Sequence, residues 1–411
     1  MTYRRVRWII AGLLFAATTI NYIDGQTLSV LSPMLRRELH LTERDYANVV
    51  TAFLVPYTIM YALGGRLIDR IGVRAGAAIA LCWWSLATML TAAARSAFSL
   101  AAFRFLLGIG EPAIFPAGVR ACGEWFPRRE RALPTGVFSS GSAVGALLAP
   151  PLIALLTLRF GWRYAFLIPG LIGMLWLPLW LSVYRVPEKH PAVRPRDLAE
   201  LRSEHAAQPR ESWLQLARDR RVWALVLPRL ASDPAWYFYV FWLPDYLQRG
   251  RHFNLSEIAV YGWIPFLFAD IGNVGGGAFS DWLIRRGIAP ARARVAVLIG
   301  VGCLMPLSAL AGHVNSVVFA VSLICLATFL CQCWSTNIAT LAADLLPASS
   351  TGTVVGMMGT AGSLGGVLFA QLLGLLIGRF GYPPAFLLAA SLHPVAACML
   401  VLLLRDRGAR S

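Results

Sequence analysis

The chain has 411 residues, of which 57% are hydrophobic and 14% are charged. Soluble chains carry about 25% charged residues, so this composition excludes an ordinary soluble enzyme or binding domain and points to a bilayer as the solvent. A formal net charge of +16 would suggest a nucleic-acid partner for a soluble domain, but here the arginines punctuate apolar segments and form no stripe or tail, so no nucleic acid is expected.

In chain order, the apolar segments fall at 8–31, 44–65, 75–95, 98–119, 132–157, 163–184, 222–247, 257–283, 293–312, 315–341, 351–377 and 384–404. Each is long enough to cross a bilayer. A bilayer admits only helices or closed barrels, and none of these segments alternates as a barrel strand does. The sequence therefore predicts an all-α membrane protein of twelve transmembrane helices. Arg4, Arg5 and Arg7 precede the first segment. No cleavage site follows it, so it reads as a retained first helix. The seven cysteines lie mostly inside apolar segments and show no metal-ligand spacing. No cofactor, metal or disulfide is expected.

Arginine and lysine set the orientation. With the N-terminus in the cytoplasm, 26 of the 37 fall on the inner side and 9 on the outer side, and Arg104 and Arg229 lie within spans. By the positive-inside rule both termini are cytoplasmic. The longest polar stretch, 185–221, holds four prolines and much of the inner charge. It reads as a cytoplasmic linker between six-helix bundles at 1–184 and 222–411. The halves echo each other: "RFGWRYAFL" at 159–167 matches "RFGYPPAFL" at 379–387, "FPRRERALPTGV" at 126–137 parallels "LPASSTGTVVG" at 346–356, and "GGRLIDRIG" at 64–72 echoes "GGAFSDWLI" at 276–284. A duplicated six-helix unit with parallel repeats is one plan of secondary transporters, in which the substrate binds near the midplane.

"GGRLIDRIGVR" at 64–74 lies between two spans and resembles the cytoplasmic loop signature of the major facilitator superfamily. That resemblance implies that Asp69 and Arg70 brace a cytoplasmic gate. "NYIDGQTLSVL" (21–31), "FRFLLGIGEPAIFPAG" (103–118), "EWFPRRERA" (124–132), "PRLASDPAWYFYVFWLP" (228–244) and "GTVVGMMGTAGSLGG" (352–366) resemble the anion:cation symporters, which include bacterial hexuronate and galactonate transporters. These stretches cover essentially the whole chain. In that family the matching carboxylates on helices 1 and 4 are tied to proton coupling and the matching arginine on helix 4 to substrate, which implies proton-coupling roles for Asp24 and Glu111 and a substrate role for Arg104. The family usually has arginine where Gly25 stands. That glycine is read either as altered coupling or as a site of close helix approach.

An ionised side chain within a span costs about 2.5–3.5 kcal/mol on insertion scales, so each such group needs a reason. Arg104 and Glu111 are seven apart, two turns of one helix, and are expected on one face. With Asp24 they would form a charged cluster, either a structural brace or a site. Arginine suits a carboxylate substrate because its planar fork binds bidentately and stays charged. In the second half, Arg229 and Asp233 have i, i+4 spacing and read equally as a self-pair or a substrate contact. Trp236, Tyr237 and Tyr239, with Tyr22 and Tyr57, offer rings and polar tips that suit a sugar acid, or else simple packing. Ser335, Asn337 and Ser363 add groups able to bond substrate hydroxyls or neighbouring helices. The glycines of "GSAVG" (141–145) and "GSLGG" (362–366) lack the strand context and lysine of phosphate loops, and read as tight helix packing.

The expectation is a monomeric transporter, not an enzyme, of a bacterial inner membrane. It would take up a small organic anion such as a hexuronate or aldonate with protons, by alternating access. An exporter of the same fold and a non-transporting sensor of the anion are the rivals.

Overall fold

The computed structural model describes residues 2–127, 130, 132–203, 213–346 and 348–405. Pro347, used in the repeat comparison, and the side chain of Asp69 lie outside the described residues.

Among the described residues there are twelve long helices. They are α1 (Tyr3–Glu38), α2 (Glu43–Ile71), α3 (Val73–Thr91), α4 (Ala97–Trp125), α5 (Ala132–Phe160), α6 (Trp162–Val183), α7 (Arg220–Asp245), α8 (Leu255–Arg285), α9 (Pro290–Gly312), α10 (Val317–Leu345), α11 (Ala348–Phe380) and α12 (Pro383–Arg405). Among the described residues, eleven of these are long and apolar enough to cross a membrane. The twelfth, α7, has the length at 26 residues, but Arg220, Arg221, Arg229, Asp233 and Asp245 dilute its apolar character. Among its described residues the linker has the short α-helices Pro195–Ser203 and Trp213–Arg218.

The chain divides into two compact units, 1–31 with 55–208, and 32–54 with 209–411. The second unit thus takes in the α1–α2 turn. Within each unit, small residues let helices meet backbone to backbone. In the first, a Cβ on Gly145 of α5 would come within 2.7 Å of Thr19 O and of Tyr22 Cβ on α1, and one on Gly170 of α6 within 2.8 Å of Ser85 O on α3. In the second, Gly362, Gly365 and Gly366 of α11 receive Asp233, Leu230 O and the Tyr237 ring of α7. "GSAVG" and "GSLGG" are therefore packing seams, as the sequence suggests.

Gly72 joins α2 to α3 at φ 82°, a left-handed conformation that favours glycine. The end of α2 is braced by residues the loop signature did not single out. Arg120 Nη1 donates to Ile68 O at 2.9 Å and Arg120 Nε pairs with Glu124 at 2.9 Å. The Tyr184 hydroxyl donates to Glu124 at 2.6 Å. Arg74 Nη2 donates to Leu181 O at 2.6 Å, while Arg70 is exposed.

At the α1–α2 turn, α1 is 36 residues long, about 54 Å at 1.5 Å per residue, and its last turn extends beyond a hydrocarbon core of about 30 Å. Arg36 there donates to Glu43 at 2.8 Å and to Asp245 at 3.1 Å. Arg249 bonds to Glu43 and, at 3.3 Å, to Asp245, and the Tyr382 hydroxyl donates to Asp245. Burial pulls the Arg249 guanidinium down, but Asp245 and Glu43 outweigh it and hold the group above its ordinary value. Tyr46 donates to Phe241 O at 2.7 Å beside this cluster.

Candidate functional site

The first unit gathers three of the intramembrane charges. Asp24 on α1 and Arg104 on α4 are fully buried, and Glu111 is 4% exposed. The Arg104 guanidinium acts electrostatically on both carboxylates, and Asp24 acts on Glu111. The three charges of the expected cluster thus lie within electrostatic reach of one another. The helix between its members is not uniform, however. Residues Glu111–Ala113 form a 3-10 turn before the α-helix resumes at Ile114. Pro112 follows Glu111 and has no N–H to give to the ladder, so Glu111 sits at a break in α4, not on an unbroken two-turn face.

The surroundings of Asp24 come from α3. The Thr88 hydroxyl and the Trp84 indole face the carboxylate. Among the described residues, neither Asp24 oxygen, the Thr88 hydroxyl nor the Trp84 N–H makes a hydrogen bond of normal geometry. Buried polar atoms left in this way are uncommon and call for a proton, a water or a ligand. Sequence reasoning passed over Trp84 and Thr88, because in sequence they are an ordinary tryptophan and threonine in an apolar span. A Cβ built on Gly25 meets nothing within 4 Å. The close helix approach offered as one reading of that glycine is not found, and there is space for a side chain. Of the tyrosines, Tyr22 is 39% exposed and Tyr57 lies 6.0 Å from the Tyr61 ring, centroid to centroid.

The second unit has a set of its own. Arg229 Nε is 2.8 Å from Asp233, and Arg229 Nη1 donates to Ser335 of α10 at 2.8 Å. The self-pair on α7 is thus present and is extended to a second helix. Gly362 leaves the room that Asp233 occupies. Tyr237 stands 3.3 Å from Ser363, hydroxyl to hydroxyl, and stacks on Phe241. Trp236 packs edge-on to Phe266 of α8 at 6.2 Å. Asn337 is fully buried and returns its amide to Cys333 O of its own helix at 2.9 Å. Tyr239 is fully buried against Phe386, a packing position. His393 of α12, not foreseen, is buried within electrostatic reach of Arg229 and edge-on to Trp334 at 5.3 Å. A lone histidine in "LHPVAAC" carries no sequence signal, and only helix packing brings it to α7.

The first unit thus buries Arg104 near two acids, and the second holds the partly buried Arg229 against Asp233, with aromatic rings and hydroxyls nearby in each. Such groups are expensive in a bilayer and mark solute or proton pathways. Residues 14–370 match the model of the Major Facilitator Superfamily. The hexuronate transporter of Escherichia coli (strain K12) is 31% identical over 414 residues, covering 98% of this chain and 95% of that protein. The galacturonate transporter of Dickeya chrysanthemi is 34% identical over 278 residues, covering 66% of this chain and 81% of that protein. Among solved structures, a bacterial homologue of the human lysosomal transporter Spinster, in an inward-facing and occupied conformation, shares the fold at a TM-score of 0.78 with 18% identity, covering 97% of both chains. Helices, buried charges and relatives agree: this multi-pass membrane protein is a transporter, not an enzyme, and belongs to the Major Facilitator Superfamily.

Proposed function

We infer that the chain carries a sugar acid, of the hexuronate or aldonate class, into a bacterial cell together with protons, by alternating access. The observation that supports this most directly is Arg104, fully buried and acted on by two carboxylates, Asp24 and Glu111. With both acids ionised the trio carries a net charge of −1, and Arg104 is engaged by its own chain. Protonation of one acid leaves the guanidinium's fork available to a substrate carboxylate, which it holds bidentately. The proton and the anion then arrive as a neutral pair, which lowers the cost of crossing a low-dielectric core. Thr88 and Trp84 supply further donors beside Asp24.

The second unit contributes hydroxyls and rings. Arg229, Ser335 and Tyr237 would meet sugar hydroxyls, and Trp236 would offer a ring face to C–H surfaces. Asn337 would complement them, and Tyr22 and Tyr57 of the first unit would add rings of their own. Asp69 and Arg70 would serve the cytoplasmic gate, alongside the Arg120–Glu124 brace. The names of the relatives, a hexuronate and a galacturonate transporter, support the substrate class. The arginine asymmetry supports an inner-membrane protein with both termini in the cytoplasm, and the single chain acts as a monomer.

Purified protein in proteoliposomes tests this directly. Labelled galacturonate or glucuronate should accumulate when the outside is made acidic and collapse when a protonophore is added. Accumulation indifferent to the pH gradient would end the proton-coupled reading, and no uptake of any sugar acid would end the substrate assignment.

A further inference from the structure

The second unit carries an opening unrelated to Arg229. The first turns of α7 and α9, the last turn of α10 and the end of α12 enclose a groove of about 540 Å³. Its mouth is basic: Arg220 and Arg221 come from the start of α7 and Arg292 from the start of α9, with Asp219 beside them. Its floor is aliphatic, formed by residues such as Ala296, Ile299 and Leu404. Through Ile299 and Val401 it runs on into a second groove of about 540 Å³ between α9 and α12, lined by apolar and thiol side chains including Cys303, Pro306 and Leu402.

We propose that this continuous groove is a binding site for one anionic glycerophospholipid of the cytoplasmic leaflet, with its phosphate among Arg220, Arg221 and Arg292 and an acyl chain along the α9–α12 seam.

Length supports that occupant. Arg292 to Cys303 is eleven residues of α-helix, about 17 Å at 1.5 Å per residue, or roughly one leaflet of a hydrocarbon core about 30 Å thick. Charge supports it as well. Asp219 is already committed, accepting from Arg221 N at 2.8 Å as the N-cap of α7 and pairing with the Arg221 guanidinium at 2.6 Å. Arg221 is held in place further by donating to Leu345 O at 3.0 Å. Among the described residues lining the mouth, three arginines against one carboxylate leave it cationic. Two long helices also begin there, with the positive ends of their dipoles toward it. Trp223, 40% exposed one turn into α7, is the kind of residue found at headgroup depth. A free phosphate would use only the mouth and a neutral lipid only the trough. The joining of the two selects a molecule with both parts.

The test is native mass spectrometry of the full-length protein in detergent, titrated separately with palmitoyl-oleoyl phosphatidylglycerol, the phosphatidylcholine of the same chains, and inorganic phosphate. Phosphatidylglycerol should bind about 30-fold more tightly than phosphatidylcholine, given about 1 kcal/mol for each of the two net positive charges that three arginines and one aspartate leave at the mouth. The Arg220→Gln/Arg292→Gln variant, altered only at exposed positions, should lose that preference and keep its thermal stability in plain detergent. Ala296→Phe, which fills the trough, should weaken both lipids. Equal binding of the two lipids, an unchanged preference in the double variant, or phosphate alone competing as well as the lipid would each overturn the proposal.

Discussion

Arg36 and Asp245 are 209 positions apart in the chain and 3.1 Å apart in space. Asp245 is fully buried at the end of α7, and three partners converge on it: Arg36, Arg249 and Tyr382. Glu43 is shared by both arginines. The cluster thus joins the α1–α2 turn to the end of α7 and the start of α12 through opposite charges and the Tyr382 hydroxyl.

Removing one member should cost more than removing two. Arg36→Gln leaves Asp245 buried with less compensation, which typically destabilises by about 3–5 kcal/mol. Adding Asp245→Asn should recover part of that loss. A double-mutant cycle read by thermal unfolding should give a coupling of about 1–3 kcal/mol, and additive losses would mean that the pair contributes nothing beyond its separate packing.

At the first-unit site, Arg104→Lys keeps the charge but loses the planar fork. Apparent affinity for the sugar acid should fall about tenfold or more, as expected when one of two parallel charge-assisted hydrogen bonds is lost. Equilibrium binding of labelled substrate measures this independently of turnover, and an unchanged Kd would remove Arg104 from the substrate contacts.

Glu111→Gln imitates the protonated acid permanently. Substrate counterflow, which needs no net proton movement, should persist near the parent rate. Accumulation driven by an imposed pH gradient should disappear. If gradient-driven accumulation survives in the same vesicles, the coupling proton resides on another group, and Asp24→Asn is the next variant to measure.

Gly25→Arg places a guanidinium next to Asp24 at a position where a Cβ meets open space, so folding should be retained. An adjacent cation stabilises the ionised carboxylate, and the pH profile of uptake should shift relative to the parent. Superimposable profiles and rates would show that residue 25 takes no part in coupling.

Much of this molecule is legible in its sequence because the bilayer penalises exposed polar backbone. Apolar segments must be helices, and their lengths give the spans before any fold is known. The cost of burying charge likewise makes Asp24, Arg104, Glu111, Arg229 and Asp233 conspicuous. The small-residue runs at 141–145 and 362–366 announce tight helix contacts because only glycine leaves room for another backbone. What the sequence could not state is which groups meet. Thr88 and Trp84 look ordinary until α3 turns them toward Asp24, and His393 until α12 brings it to Arg229. Arg36 reads as one more loop arginine until it meets Asp245. The 3-10 break at Glu111 depends on how Pro112 is accommodated by the packed helix. Spacing along one helix is set by local geometry, which a sequence displays. Pairing between helices is set by the simultaneous packing of many side chains hundreds of residues apart, and only the folded structure resolves it.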